Sequence, residues 1–164
     1  MKQFFESERI RFVEVSKELV RDYLVMVNDY ERVNRWLGGK RDVYTEAQEL
    51  EWVEEKLAEK AVVFSMIEKS SGSFIGNIEL MDVSDSVGEL GIAVTGQMQD
   101  QGYGTEAVSA LIRYALGVLG LKRVFLRTYP GNARAIHVYE KCGFRPYDRT
   151  ESDLFMSFTG PLPG

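Results

Sequence analysis

The stretch "GELGIAVTGQMQDQGYGTEAVSALIRYALGVLG", residues 88–120, constrains the fold more than any other part of the chain. It runs from an apolar strand, through a bend with two glycines one residue apart, into a helix. Ala107, Ala110, Leu111, Tyr114, Ala115 and Val118 share one face of that helix, and Gly120 ends it. A β-branched run, "KRVFLRTY", follows at once. Then come a "PGN" loop, a short helix "ARAIHVYEKC" ended by Gly143, and two closing strands, "FRPYDR" and "DLFMSFT".

Upstream the pattern changes period several times. "RIRFVEV", Arg9 to Val15, alternates and reads as a strand, and Ser16 then stands as N-cap to a helix carrying Leu19, Tyr23, Met26 and Val27. "YERVNRWLGGKRDVY" reads as a short helix broken by Gly38 and Gly39. Thr45 and Gln48 form a capping box for a helix reaching about Glu59, with Ala47, Leu50, Val53 and Leu57 expected to face inward. "AVVFSMIEK", "SFIGNIELMD" and "VGELGIAVT" are three strands whose short connections imply antiparallel neighbours. Antiparallel flanks around a strand–bend–helix–strand centre predict one α/β domain over residues 1–164. Its central sheet is mixed, mostly antiparallel and flanked by helices.

Composition excludes several functions. A formal net charge of −5 over 164 residues is the wrong sign for neutralising nucleic-acid phosphates. It suits cationic partners such as amines, although solubility alone also accounts for it. With one cysteine, Cys142, and one histidine, His137, no internal disulfide and no metal cluster is expected. "MKQFFESERIRF" has no apolar h-region and no window approaches a membrane span, so a cytoplasmic protein, monomer or homodimer, is expected.

The bend admits two readings. Gly102-x-Gly104-x-x-Ala107 fits a dinucleotide-binding turn, and Gln99-x-x-Gly102-x-Gly104 fits a loop that holds the pyrophosphate of coenzyme A. The dinucleotide reading requires the strand to enter the glycines directly and a ribose-binding carboxylate about 20 positions on. Here several residues separate Val94 from Gly102, and the next strand ends at Arg127 and Thr128 without a carboxylate. The pyrophosphate reading needs only converging backbone N–H groups and a helix N-terminus. Gly102 and Gly104 lack a Cβ, so they can adopt positive φ and let the backbone approach the phosphates closely. Thr105 caps the helix or adds a hydroxyl, capping being the expected role, and Glu106 is expected to point into solvent.

"GELGIAV", "QDQGYGTEA" and "NARAIHVYEKCGF", in this order and spacing, resemble the GCN5-related N-acetyltransferases (GNAT). Within that superfamily they are similar to the group that acetylates ribosomal-protein N-termini and includes polyamine acetyltransferases. Gly96 departs from the pattern, since a proline often stands in this loop, and it is expected to loosen the loop. The resemblance implies an acetyl-CoA-dependent N-acetyltransferase without a metal, its sheet splayed at the cofactor. The acceptor would be a protein N-terminus, a polyamine or another small amine. A non-catalytic acyl-CoA-binding or sensor domain of the same fold is the alternative.

The resemblance also implies roles for particular residues. Glu89 is the expected base and Glu79 the other candidate, while the Tyr139 hydroxyl is the expected acid for the departing thiolate. Asn132 lies seven residues earlier on the same helical face. Backbone groups of Ile92, Ala93 and Val94 are expected to hold the pantetheine arm. Gln99, Asp100, Gln101, Gly102, Tyr103, Gly104 and Thr105 are expected to hold the pyrophosphate, joined by Asn132 and Arg134. Trp36 and Glu79 are expected to line the acceptor site. His137 and Cys142 are expected to be structural, and the absence of a Cys/His pair points to direct attack.

Overall fold

The computed structural model describes residues 1–39 and 43–162. Lys40, Arg41 and Asp42, within the expected acceptor loop, lie outside the described residues. The elements run β1 (Gln3–Glu6), β2 (Ile10–Glu14), α1 (Val20–Val27), α2 (Glu46–Glu59), β3 (Val62–Glu68), β4 (Phe74–Ser84) and β5 (Val87–Val94). They continue with α3 (Tyr103–Gly117), β6 (Arg123–Thr128), α4 (Ala133–Lys141), β7 (Phe144–Arg149) and β8 (Leu154–Phe158). The strands form one eight-stranded sheet in the order β1-β2-β3-β4-β5-β6-β8-β7, antiparallel except where β5 meets β6. This is the α/β arrangement read from the sequence.

Strand alternation sends side chains to two helical layers. Phe64 and Met66 of β3, Ile78 and Leu80 of β4, and Leu90 of β5 pack with Ala107, Val108, Leu111 and Ile112 of α3 and with Tyr139 of α4. On the opposite face, Val63 and Ile67 pack with Val20, Tyr23 and Met26 of α1 and Val53 of α2. The Thr45–Gln48 capping box forms as the sequence implies, and Ser16 caps a 3-10 turn, Lys17–Leu19, that leads into α1.

Two local expectations are corrected, and one strand, β1, was not read from the sequence. In β1 the Phe5 ring stacks between Phe12 and Tyr114, centroids 4.2 and 4.3 Å away, while Phe4 packs on Phe64 and stays partly exposed. In α2, Ala47 and Leu57 face solvent, and the buried face carries Glu49 and Val53. Around Trp36 the chain makes only a 3-10 turn, Asn34–Leu37, closed by Gly38 at φ +79°. A Cβ at Gly38 would come to 3.1 Å from the Tyr129 hydroxyl, so the turn approaches the end of β6 closely.

Candidate active site

β5 and β6 pair only at Val87–Arg123, Gly88–Val124 and Glu89–Phe125. Beyond Glu89 they part, because β6 continues along β8 over Phe125–Thr128 while β5 continues along β4 to Val94. The Thr95 N–H donates to the Ile75 carbonyl, 2.8 Å away. Alternation then turns the backbone groups of Ala93, Gly91 and Glu89 toward β4, and those of Leu90, Ile92 and Val94 toward the gap. Of the three residues expected to hold the pantetheine arm, Ile92 and Val94 therefore turn their N–H groups into the gap. The Ala93 amide is committed to the sheet.

The bend closes one end of this gap. After a 3-10 turn at Gly96–Met98, Asp100 (φ +61°) and Gly102 (φ +84°) turn the chain into α3. The first helical bond runs from the Glu106 N–H to the Gly102 carbonyl, leaving the N–H groups of Tyr103, Gly104 and Thr105 at the open helix end. Gly104 lies within the helix and does not use the positive φ that the sequence reading allowed it, while Gly102 does. A Cβ there would rest 3.8 and 3.9 Å from the Val138 methyls, an ordinary contact. The cap is Gly102, so Thr105 does not cap. The Tyr103 ring is buried under the Arg9 guanidinium and its hydroxyl donates to Glu68, so only its backbone faces the bend.

Glu106 is also corrected: it does not point into solvent. It accepts from the Ser7 hydroxyl (2.6 Å), the Arg9 N–H (2.8 Å) and the Arg9 Nε (2.7 Å), fastening the first residues of the chain to α3. Burial raises its pKa, but these hydrogen bonds and the Arg9 charge outweigh burial and leave it lowered.

Gln99 and Arg134 turn toward each other. The Gln99 amide nitrogen donates to the Arg32 and Val94 carbonyls, both at 2.9 Å, and its oxygen accepts from Arg134. Arg134 Nε also lies 3.8 Å from Asp100. Gln101 donates to the Gln97 carbonyl within the bend. A Cβ at Gly96 would overlap the Arg32 guanidinium and the carboxylate of its ion-pair partner Asp29. Gly96 therefore makes room for a contact that ties the bend to residues 29–37, and does not loosen it.

From α4, Asn132 caps its own helix through Oδ1 to the Ala135 N–H at 3.3 Å. Tyr139 is buried on Phe144 yet borders the gap, and burial pushes its phenol up to about 12. Its hydroxyl makes no hydrogen bond among the described residues. Cys142 is buried between Ser109 and the Thr105 carbonyl, and burial raises its thiol pKa.

One cavity of about 1020 Å³ passes through the gap, joining the α3–α4 face to the α1–α2 face. Glu89 lies at the point of parting, and Arg127 reaches back two residues to grip it, Nε to Oε2 at 3.0 Å and Nη2 to Oε1 at 3.5 Å. The pair raises the Arg127 pKa. Glu79 stands across β4–β5 from Gly91, its Oε1 3.8 Å from where a Gly91 Cβ would be. Burial, reinforced by the Glu89 charge, pushes the Glu79 pKa up against the opposing pull of Lys56. Trp36 borders the cavity with Arg35 stacked 4.5 Å over its ring. Glu49, Tyr23 and Trp52 complete the α1–α2 end. Sequence reading missed Glu49 because a carboxylate in the first turn of a helix ordinarily faces solvent.

A family model described as an acetyltransferase (GNAT) domain matches residues 9–145. The chain is 23% identical over 94 residues to the spermidine N(1)-acetyltransferase of Vibrio cholerae, covering 56% of this chain and 54% of that protein. Such matches span between half and two thirds of the curated relatives' own length. A GNAT-family acetyltransferase structure from Bacillus anthracis superposes with a TM-score of 0.83 at 18% identity, covering 94% of this chain and 96% of that one. The spermidine N-acetyltransferase of Vibrio cholerae in complex with CoA and spermine superposes at 0.79 and 16% identity, covering 91% and 93%. At these identities the likeness is one of fold. No helix among the described residues is long and apolar enough to cross a membrane.

Proposed function

Because this chain belongs to the GNAT acetyltransferase family, whose acetyl donor is acetyl-CoA, we propose that it acetylates a primary amine by direct attack in a ternary complex. The observation that carries this reading is the parting of β5 from β6 beside an open helix N-terminus. The unpaired strand amides and the open helix end match, respectively, an amide-bearing arm and a pyrophosphate. Bound there, acetyl-CoA supplies a thioester whose carbonyl carbon bonds to the amine nitrogen as the carbon–sulfur bond breaks and the thiolate leaves.

The chain's residues divide the remaining work. The N–H groups of Tyr103, Gly104 and Thr105 receive the pyrophosphate, and Arg134, 3.8 Å from Asp100, stands beside them and can turn to a phosphate in place of that carboxylate. The Ile92 and Val94 N–H groups hold the arm and polarise the reacting carbonyl. Glu79 takes the proton of the attacking amine: its raised pKa makes it the stronger base, and no cation grips its oxygens as Arg127 grips those of Glu89. Glu89 thereby becomes the clamp at the point of parting. Tyr139, kept protonated by burial, gives its proton to the thiolate. The raised pKa of Cys142 keeps it a thiol, which supports direct attack over an acyl-cysteine route.

Two measurements test this reading. Acetyl-CoA should raise the melting temperature, and NAD(P)H should not. Thiol release from acetyl-CoA should depend on added amine across a panel of polyamines, N-terminal peptides and small amines. Stabilisation without amine-dependent release would identify a non-catalytic acyl-CoA sensor instead.

A further inference from the structure

We propose that Glu49 is a specificity residue that binds a second positive charge on the acceptor, so that the substrate is a diamine or longer polyamine and not a monoamine. The inference rests on the acetyl-transfer reading above and deepens its acceptor side.

Three observations carry it. Glu49 is only 8% exposed, yet it borders the through-sheet cavity and makes no ion pair or side-chain hydrogen bond with any described residue. Its carboxylate oxygens open onto the cavity, and the helix dipole that favours acids in a first turn would be satisfied equally well from the outer solvent side. The inward position of Glu49 is therefore explained by what enters the cavity.

Aromatic rings surround the same place. Trp52, one turn on, and Tyr23 meet edge to face with centroids 5.6 Å apart, and both border the cavity beside Glu49. Aromatic faces beside a carboxylate accommodate an alkylammonium, the charge on the acid and the methylenes on the rings. Among the described residues, three cations that border this cavity are engaged elsewhere, Arg32 with Asp29, Arg127 with Glu89 and Arg134 with Gln99, and the fourth, Lys141, is the last residue of α4, on the other face of the sheet from α2.

Two carboxylates share the space. Glu49 of α2 and Glu79 of β4 both border this one cavity. An acceptor that reacts at Glu79 and carries a second ammonium on a flexible alkyl chain has Glu49 within the same space to receive it. Burial alone raises the Glu49 pKa, so an incoming cation also returns this carboxylate to its charged form.

The test compares diamines from diaminobutane to diaminooctane with monoamines of matched length, in wild type and Glu49→Gln. The ratio of diamine to monoamine kcat/KM should be at least about tenfold in wild type and fall toward one in E49Q, the change lying in KM. In parallel, the best diamine should raise the melting temperature of the wild-type CoA complex but not of the E49Q complex. A retained melting shift with CoA alone shows that E49Q is folded. An equal ratio in the two proteins, or no diamine preference in wild type, overturns the proposal. If no amine releases thiol, the acetyl-transfer reading fails, and the diamine-dependent melting shift still decides the role of Glu49.

Discussion

Replacing Gly104 with alanine should move stability and cofactor affinity in opposite directions. Gly104 is the second residue of α3, and a Cβ there meets only the Val138 methyls at 3.8 and 3.9 Å. The protein therefore has room for the methyl group, and exchanging a helical glycine for alanine gains at most about 1 kcal/mol. For a chain of this size that raises the melting temperature by roughly 2–4 °C. On the cavity side the same methyl stands where the open N–H groups of Tyr103, Gly104 and Thr105 would meet a phosphate. Losing one charge-assisted hydrogen bond costs about 1.5–3 kcal/mol, or on the order of ten- to a hundredfold in Kd. Calorimetric melting of the free protein and titration with CoA measure the two effects separately. An unchanged CoA Kd would remove the pyrophosphate from Gly104, and a lowered melting temperature would refute the space described at Val138.

Three further variants probe other contacts. Glu106→Gln should destabilise by about 1–2 kcal/mol at neutral pH, since Arg9 is partly exposed and screens the loss. Because the folded pKa of Glu106 lies below the ordinary 4.5, its contribution is complete above that value and disappears as pH falls through the lowered one. Urea unfolding across that range should therefore be flatter in E106Q. Tyr139→Phe should lower kcat on the order of a hundredfold with CoA Kd nearly unchanged; an equal kcat would mean that another group protonates the sulfur. Finally, the acid limb of kcat/KM should lie above the ordinary carboxylate value of 4.5, activity falling as pH drops through the raised pKa of Glu79. Glu79→Gln should abolish that limb, and its persistence in the variant would assign it to a different group.

The strand, bend and helix of the proposed donor side were legible in the sequence because backbone conformation carries them. A strand, two glycines and an amphipathic helix in fixed order leave few ways to fold residues 88–120, and the gap at Ile92 and Val94 follows from where β5 stops pairing. The differences there concern single residues. Gly104 is helical, Thr105 is not the cap, and Glu106 is recruited by Ser7 and Arg9, about a hundred residues earlier in the chain. No periodicity reports such a pairing. The acceptor side was poorly legible for the same reason. Glu49, Trp52, Tyr23 and Glu79 come from α2, α1 and β4, and only the packing of two helices on the sheet brings them to one cavity. Glu89 was visible as a candidate, but its partner Arg127 is 38 positions away across the parallel pair.

That pair determines how charge is distributed along the cavity. Glu89 stands between the two ends, where an uncompensated carboxylate would repel the phosphates and compete with Glu79 for the acceptor. The Arg127 fork neutralises it in place, and the ion pair bridges β5 and β6 where the hydrogen-bond ladder stops. The donor end of the proposed site then presents the open terminus of α3, with the Arg134–Asp100 pair beside it. The acceptor end retains Glu49 and Glu79, with burial raising both pKa values. On the proposed reading, an anionic pyrophosphate and a cationic amine entering one continuous space would be sorted to opposite ends before either makes a specific contact. The overall charge of −5 hinted only weakly at amines. The position of three glutamates, one held by an arginine and two without such a grip, gives that hint a direction along the cavity on the proposed reading.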